Sequence, residues 1–273
     1  MYTITGCGIF SRTNISNINA NFAAVSSPDL FVRPQSGNDA NSGLSYTSAK
    51  ATLAGCASLL KPGIVIGIEG VLFENYTAPV GVNDVTLVGL ANLPRQATTS
   101  GVPNGGGATW LQATGGTTAL LTVQAQGWTV RNIYFNNAAT AAPCIDLVTV
   151  GDPPTQADAA HFTLDGCILT GTDNGLDAGD GTTFVRLLNS TFFGFAGAGD
   201  IAINAAGGVG TLLDWRIENC KFFNNVSNII AAASHWTITG CMIEAGSTTT
   251  IDFTNGTAPN YVVGNYFNIA AAD

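Results

Sequence analysis

Three aspartates, Asp173, Asp177 and Asp180, stand close together in GTDNGLDAGDG. Its glycines make this segment a loop, and carboxylate and carbonyl oxygens are the donors calcium takes. The spacing matches neither the EF-hand nor the glycine-rich calcium nonapeptide, and a solvated acidic loop, with no metal, is the reading preferred. Two more carboxylates, Asp165 in TLDGC and Glu218 in RIENC, have Arg131, Arg186 and Arg216 in similar phrases nearby. Such sets serve as a general acid and base, as a subunit interface, or as surface ion pairs worth about 0–1 kcal/mol each. His161 and His235 each precede an aromatic, Phe162 and Trp236, and this matched placement points to a structural role at a turn. No nucleophile elbow, phosphate-binding loop, dinucleotide fingerprint or H-E-x-x-H motif occurs, and no cofactor is expected.

What these residues do depends on what positions them, and the chain repeats itself. WRIENCKFFNN from Trp215 is followed by WTITGCMIEAG from Trp236. Centred on a small or amide residue, related phrases run through Gly89, Asn132, Gly166, Asn189, Asn219, Gly240 and, more loosely, Asn265. By subtraction the spacings are 43, 34, 23, 30, 21 and 25 residues. Two residues before the centres stand Leu87, Val130, Leu164, Leu187, Ile217, Ile238 and Val263. Three after most of them stand Phe135, Leu169, Phe192, Phe222 and Ile243. This is period-two strand patterning, and a repeat of 21–25 residues with variable loops predicts a coil of stacked strands. The 43 residues between Gly89 and Asn132 fit either one coil with a long loop or two coils.

The register carries further expectations. Residues one and three before each centre face outward, which places Arg131, Asp165, Arg186, Arg216 and Glu218 in one external column. Cys167, Cys220 and Cys241 all follow a centre, so they form an internal ladder of inert thiols. The asparagines form an amide column.

The segment LFVRPQSGNDANSGLSYTSAKATLAGCASLLKPGIVIGIEG, followed by VTLVGL, resembles the opening of the pectin-lyase-like superfamily of right-handed parallel β-helices. The resemblance implies an all-β, single-stranded right-handed solenoid over residues 30–273. A capping helix is expected over about 46–60, with Leu53, Cys56, Ala57 and Leu60 on one face. It also implies that any chemistry lies on the outer face, among clustered carboxylates or carboxylates beside Arg or Lys. Asp165 and Glu218 are then the candidates for acid and base on a glycan.

Composition narrows the partners. The 273 residues carry a formal net charge of −9, only 10% are charged, and 33 are glycine. Nine basic residues with no basic run exclude an electrostatic footprint for nucleic acid. No apolar run reaches the ~20 residues of a membrane span, and the first residues lack the pattern of a secretory leader. Neither nucleic acid nor a membrane is an expected partner.

Residues 1–29 read as a separate arm. Ile15, Ile18, Phe22 and Val25 form an apolar stripe at helical spacing, and ISNINANFAAV resembles N-terminal segments of bacteriophage virion proteins. Three such stripes can bury one another, so the arm is expected to trimerise the chain or attach it to a particle. The expected function is a non-enzymatic, trimeric capsid decoration or cement protein on the virion surface. Its partners would be further copies of itself, the major capsid protein or another virion protein, and host surface glycans. The alternative is a tailspike or other carbohydrate-active β-helix that binds or cleaves host polysaccharide.

Overall fold

A computed structural model of the chain describes residues 28–90, 108–111, 116–138, 141–148, 159–206, 212–246, 248–253 and 259–268. The stripe Ile15, Ile18, Phe22 and Val25 lies outside these residues. Three long sheets are built from short strands that each pair in parallel with the strand one coil away. Sheet A has nine strands, from Leu30–Val32 to Tyr261–Val263. Sheet B has eight, from Val71–Phe73 to Tyr266–Asn268, and sheet C seven, from Tyr76–Thr77 to Thr249–Asp252. The order A, B, C recurs along the chain, so one circuit makes one coil of a parallel β-helix.

The repeat predicts the register. Leu87, Val130, Leu164, Leu187, Ile217 and Ile238 stack inside sheet A, and all are fully buried. Phe135, Leu169, Phe192, Phe222 and Ile243 do the same inside sheet B. Burying each such side chain is worth about 1.5–3 kcal/mol. Aromatics on successive coils lie face to face: Phe192 on Phe222 at 5.0 Å and Trp215 on Trp236 at 4.4 Å. The Trp215 and Trp236 indoles also donate to the carbonyls of Thr182 and Leu212 one coil back. The phrases from Trp215 and Trp236 thus superimpose because they are adjacent rungs. Thr86–Gly89 pairs directly with Thr129–Arg131, so a single coil separates them.

From Asn132 onward the chain turns between sheets A and B on one left-handed residue, whereas the earlier centre Gly89 is small because a Cβ there would clash with the Asn132 carbonyl oxygen. Asn132, Asn189 and Asn219 have φ of 54°, 50° and 54°, and Gly166, Gly240 and Gly264 take the same place. Glycine and asparagine tolerate this region where other L-residues strain, which explains why the centres are amide or small. In the last coil the register corrects the sequence reading. Val262, not Val263, pairs with Ile238, and the centre is Gly264 rather than Asn265. Asn265 instead occupies the next position, where its amide receives the Cys241 N–H and donates to the Ile238 carbonyl. Asn219→Gly is expected to change stability by a few tenths of a kcal/mol, whereas Asn219→Val should cost about 1–2 kcal/mol. Equal denaturation midpoints for the two variants would remove the conformational explanation.

Two further expectations need correction. The thiol ladder is interrupted, because Ser190 occupies the rung between Cys167 and Cys220. All five described cysteines are free and buried, and burial pushes the Cys144 and Cys167 thiols up to about 12. The cap is not one helix but two 3-10 turns, Tyr46–Ser48 and Ala54–Leu59. Three residues per turn bury Leu53 and Cys56, leave Leu60 half-buried and turn Ala57 to solvent. Carboxylates replace the missing helical acceptors. Glu74 receives the Leu53 and Ala54 N–H groups, and Asp39 those of Ala51 and Thr52.

Candidate functional site

The outer face of sheet A resolves the predicted charged column into two. Thr163, Arg186, Arg216 and Thr237 are register partners in one. Arg131, Asp165, Leu188, Glu218 and Thr239 form the other, two residues further along each strand. The single column fails because Arg186 and Arg216 stand three places before their centres and the acids one place before theirs. The consequence for chemistry is direct. Leu188 stands between Asp165 and Glu218, so the two carboxylates are not on adjacent strands. Asp165 is also occupied, by Arg131 Nε at 3.6 Å and by the Asn189 amide at 2.8 Å. Asp165 is therefore not placed as a free general base.

The other column borders a groove of about 640 Å³. Its second wall is a row of corner residues, His161, Phe184, Asp214 and His235, each two places before a residue of the arginine column. All four have φ between 57° and 61°, because one left-handed residue turns the chain into sheet A on each coil from Gly63 to His235. The buried residue after each corner, Phe162, Val185, Trp215 or Trp236, fixes that turn from inside. The histidines therefore have the turn role expected of them, and they also line the groove. Phe184 and Asp214 were missed, although they occupy the same place in the repeat as the two histidines.

Within the groove, the His161 and Phe184 rings stack at 4.8 Å and 6°. His235 Nδ1 lies 4.0 Å from Asp214 Oδ1. Arg186 and Arg216 are exposed on adjacent strands, whose backbones lie about 4.8 Å apart. Neither guanidinium has an ion pair or side-chain hydrogen bond among the described residues. Two like charges placed side by side repel, and in a chain of net charge −9 this is a local concentration of positive charge. Phe184 adds conformational strain, since a bulky side chain at positive φ costs about 1–2 kcal/mol. Strain of this kind clusters at ligand-binding positions.

The acidic loop divides as well. Asp177 lies in strand Leu176–Ala178 on the outer face of sheet C, while Asp173 and Asp180 lie in the turns on either side. No group of three metal-ligating side chains forms among the described residues, and the three aspartates do not converge on one point. Asp177 instead pairs in register with Asp146 on one side and Asn204 on the other. Its carboxyl is pushed up to about 6 by burial, reinforced by the charges of Asp146 and Asp173 and opposed by hydrogen bonds from Asn174 and Asn204. Burial raises Asp146 too. Asp146 carries no signal in the sequence because its coil lacks a recognisable phrase at that strand.

No protein-family model matches the chain, and a search of curated proteins finds no match. Solved structures do match. Pectate lyase Pel9A aligns over 85% of this chain and 57% of its own, at 13% identity and a TM-score of 0.56. The present chain thus spans little more than half the length of that lyase. Pectin methylesterase PemA from Erwinia chrysanthemi aligns over 90% of this chain and 91% of its own, at 12% identity and a TM-score of 0.46. The tailspike gp49 of Acinetobacter baumannii bacteriophage Fri1, a capsular polysaccharide depolymerase, aligns over 76% and 50%, at 12% identity and a TM-score of 0.37. Likeness at such identity speaks to architecture rather than activity. Together with the three parallel sheets, the likeness to Pel9A establishes that the chain folds as a parallel β-helix.

Proposed function

We propose that the chain is a non-enzymatic bacteriophage virion surface protein, a trimeric capsid decoration protein whose β-helix binds ligand on its flank without cleaving it. The observation that carries the non-catalytic part is the separation of charge. The arginines line a groove on sheet A, and the paired carboxylates with raised pKa stand on sheet C. Glycoside hydrolysis by the common two-carboxylate route needs a pair of Asp or Glu residues flanking the bond that breaks. Among the described residues that line the groove, Asp214 is the one carboxylate, and it is exposed at the rim beside His235. The virion part is supported by residues 1–29, with their apolar stripe and phage-like phrase. The arm would join three copies, or join the chain to the major capsid protein.

The test has two readouts on the full chain. Light scattering should give a mass near three times 28.0 kDa. A panel of bacterial polysaccharides should yield no new reducing ends and no unsaturated products. A clean monomer would remove the trimer, and a released product would remove the non-enzymatic assignment. A second reading, a polysaccharide-cleaving protein of the tailspike kind, is favoured by one observation. Asp146 and Asp177 are adjacent carboxylates in unequal environments, the arrangement that separates an acid from a base. They stand on sheet C, away from the groove on sheet A, and we rank this reading second.

A further inference from the structure

We infer that the sheet A groove is a recognition site for a tetrahedral oxyanion ester, a sulfate or phosphate monoester carried on a polysaccharide. The assignment rests on the reading of this groove as a binding surface and adds the chemical group it recognises. Arg186 and Arg216 are register partners with no counter-ion among the described residues. Each guanidinium offers parallel N–H donors suited to an oxyanion. A carboxylate has two oxygens in one plane and can meet only one such fork with two parallel bonds along its open edge. A monoester has three terminal oxygens and can accept from both forks at once, which also relieves the repulsion between them. Thr163 and Thr237 extend the arginine column at either end with hydroxyl groups.

The remaining lining suits a sugar bearing that group. Phe184 is 47% exposed while stacked on His161, so an apolar ring stands beside the cations. Asp214 can accept from a sugar hydroxyl, and its charge disfavours a second anion at the adjoining position. The groove thus selects one anionic group rather than a dense polyanion. The chain's net charge of −9 and its lack of a basic run exclude nucleic acid on the same ground.

The experiment uses one polymer backbone with three chemistries. Sulfated, phosphorylated and carboxymethylated dextrans of equal length and charge density are titrated against the full chain by calorimetry, with plain dextran as the blank. Sulfated dextran, phosphorylated dextran or both should bind at least tenfold more tightly than carboxymethyl dextran, and which of them binds identifies the source of the ester. Arg186→Gln and Arg216→Gln should each lower that affinity about tenfold with unchanged melting, because both side chains are exposed. Arg131→Gln, in the neighbouring column, should leave it unchanged.

Equal binding of carboxymethyl dextran would overturn the tetrahedral group. Unchanged affinity in both arginine variants would overturn the groove, and no binding of any dextran would overturn the assignment altogether. None of these results bears on the trimer mass or on the absence of cleavage products, so the inference can fail while the proposed function stands.

Discussion

Phe222→Asp should destabilise the chain by about 5 kcal/mol at neutral pH and lower its denaturation midpoint far more than any surface change. The side chain is fully buried, stacked on Phe192 at 5.0 Å, and in register with Ile243 on the following coil. Truncating a buried phenylalanine costs about 3–5 kcal/mol through lost transfer energy and the cavity left behind. Aspartate adds an unpaired carboxylate between coils, where it neutralises rather than stays charged. The loss should therefore be smaller at pH 4 than at pH 7, while Phe222→Leu should cost about 1–2 kcal/mol at both. Coils contact only their neighbours, so hydrogen exchange should rise first in Thr191–Phe193 and Met242–Glu244. Denaturation curves that match the parent chain would mean that this face of the strand does not point inward.

That prediction needs only the sequence, because the interior of a solenoid is written as a repeat. Each coil must bury the same face against the next, so Leu164, Leu187 and Ile217 recur at fixed offsets from Gly166, Asn189 and Asn219. Left-handed turns force the choice of asparagine or glycine at the centres, which makes the register readable. The pattern fails where the constraint loosens. The last coil carries Gly264 and Asn265 in succession, both plausible centres, and only the pairing of Val262 with Ile238 separates them. The cap has no repeat to define it, and carboxylates from Asp39 and Glu74 substitute for the helix implied by resemblance.

The candidate site was harder to read for a related reason. Outward positions are free to vary, so nothing in Arg186, Asp214 or Phe184 marks them as neighbours until the coils are stacked. Counting back from the centres found the arginines but merged two columns into one. The groove's other wall belongs to a turn that the phrases do not include. Asp146 and Asp177 stand 31 positions apart in sequence, by subtraction, yet on strands that pair in parallel.

Asp177 gives the second large effect, and its sign depends on pH. In the folded chain its carboxyl is pushed up to about 6 from an ordinary 3.8, first by burial and then by the charges of Asp146 and Asp173. The folded state therefore holds this proton more tightly than the unfolded one. Stability from this residue falls as pH rises from about 4 to about 6, and the full cost remains above that window. Asp177→Asn removes the charge while keeping an oxygen to accept from the Asn174 amide. It should stabilise the chain by about 2–3 kcal/mol at pH 8 and by nearly nothing at pH 3.5. Because Asp146 is raised by burial as well, the difference between parent and variant, rather than the parent's own profile, isolates the effect. A gain of equal size at both pH values would assign it to packing, and a loss at pH 8 would mean that the ionised form is the one the fold accommodates. The same variant separates the two functional readings. If a polysaccharide is cleaved and Asp177→Asn abolishes that cleavage while raising stability, the carboxylate pair on sheet C is a catalytic centre held at the expense of stability. If stability rises and binding in the sheet A groove is unchanged, the pair is strain that the binding function does not use.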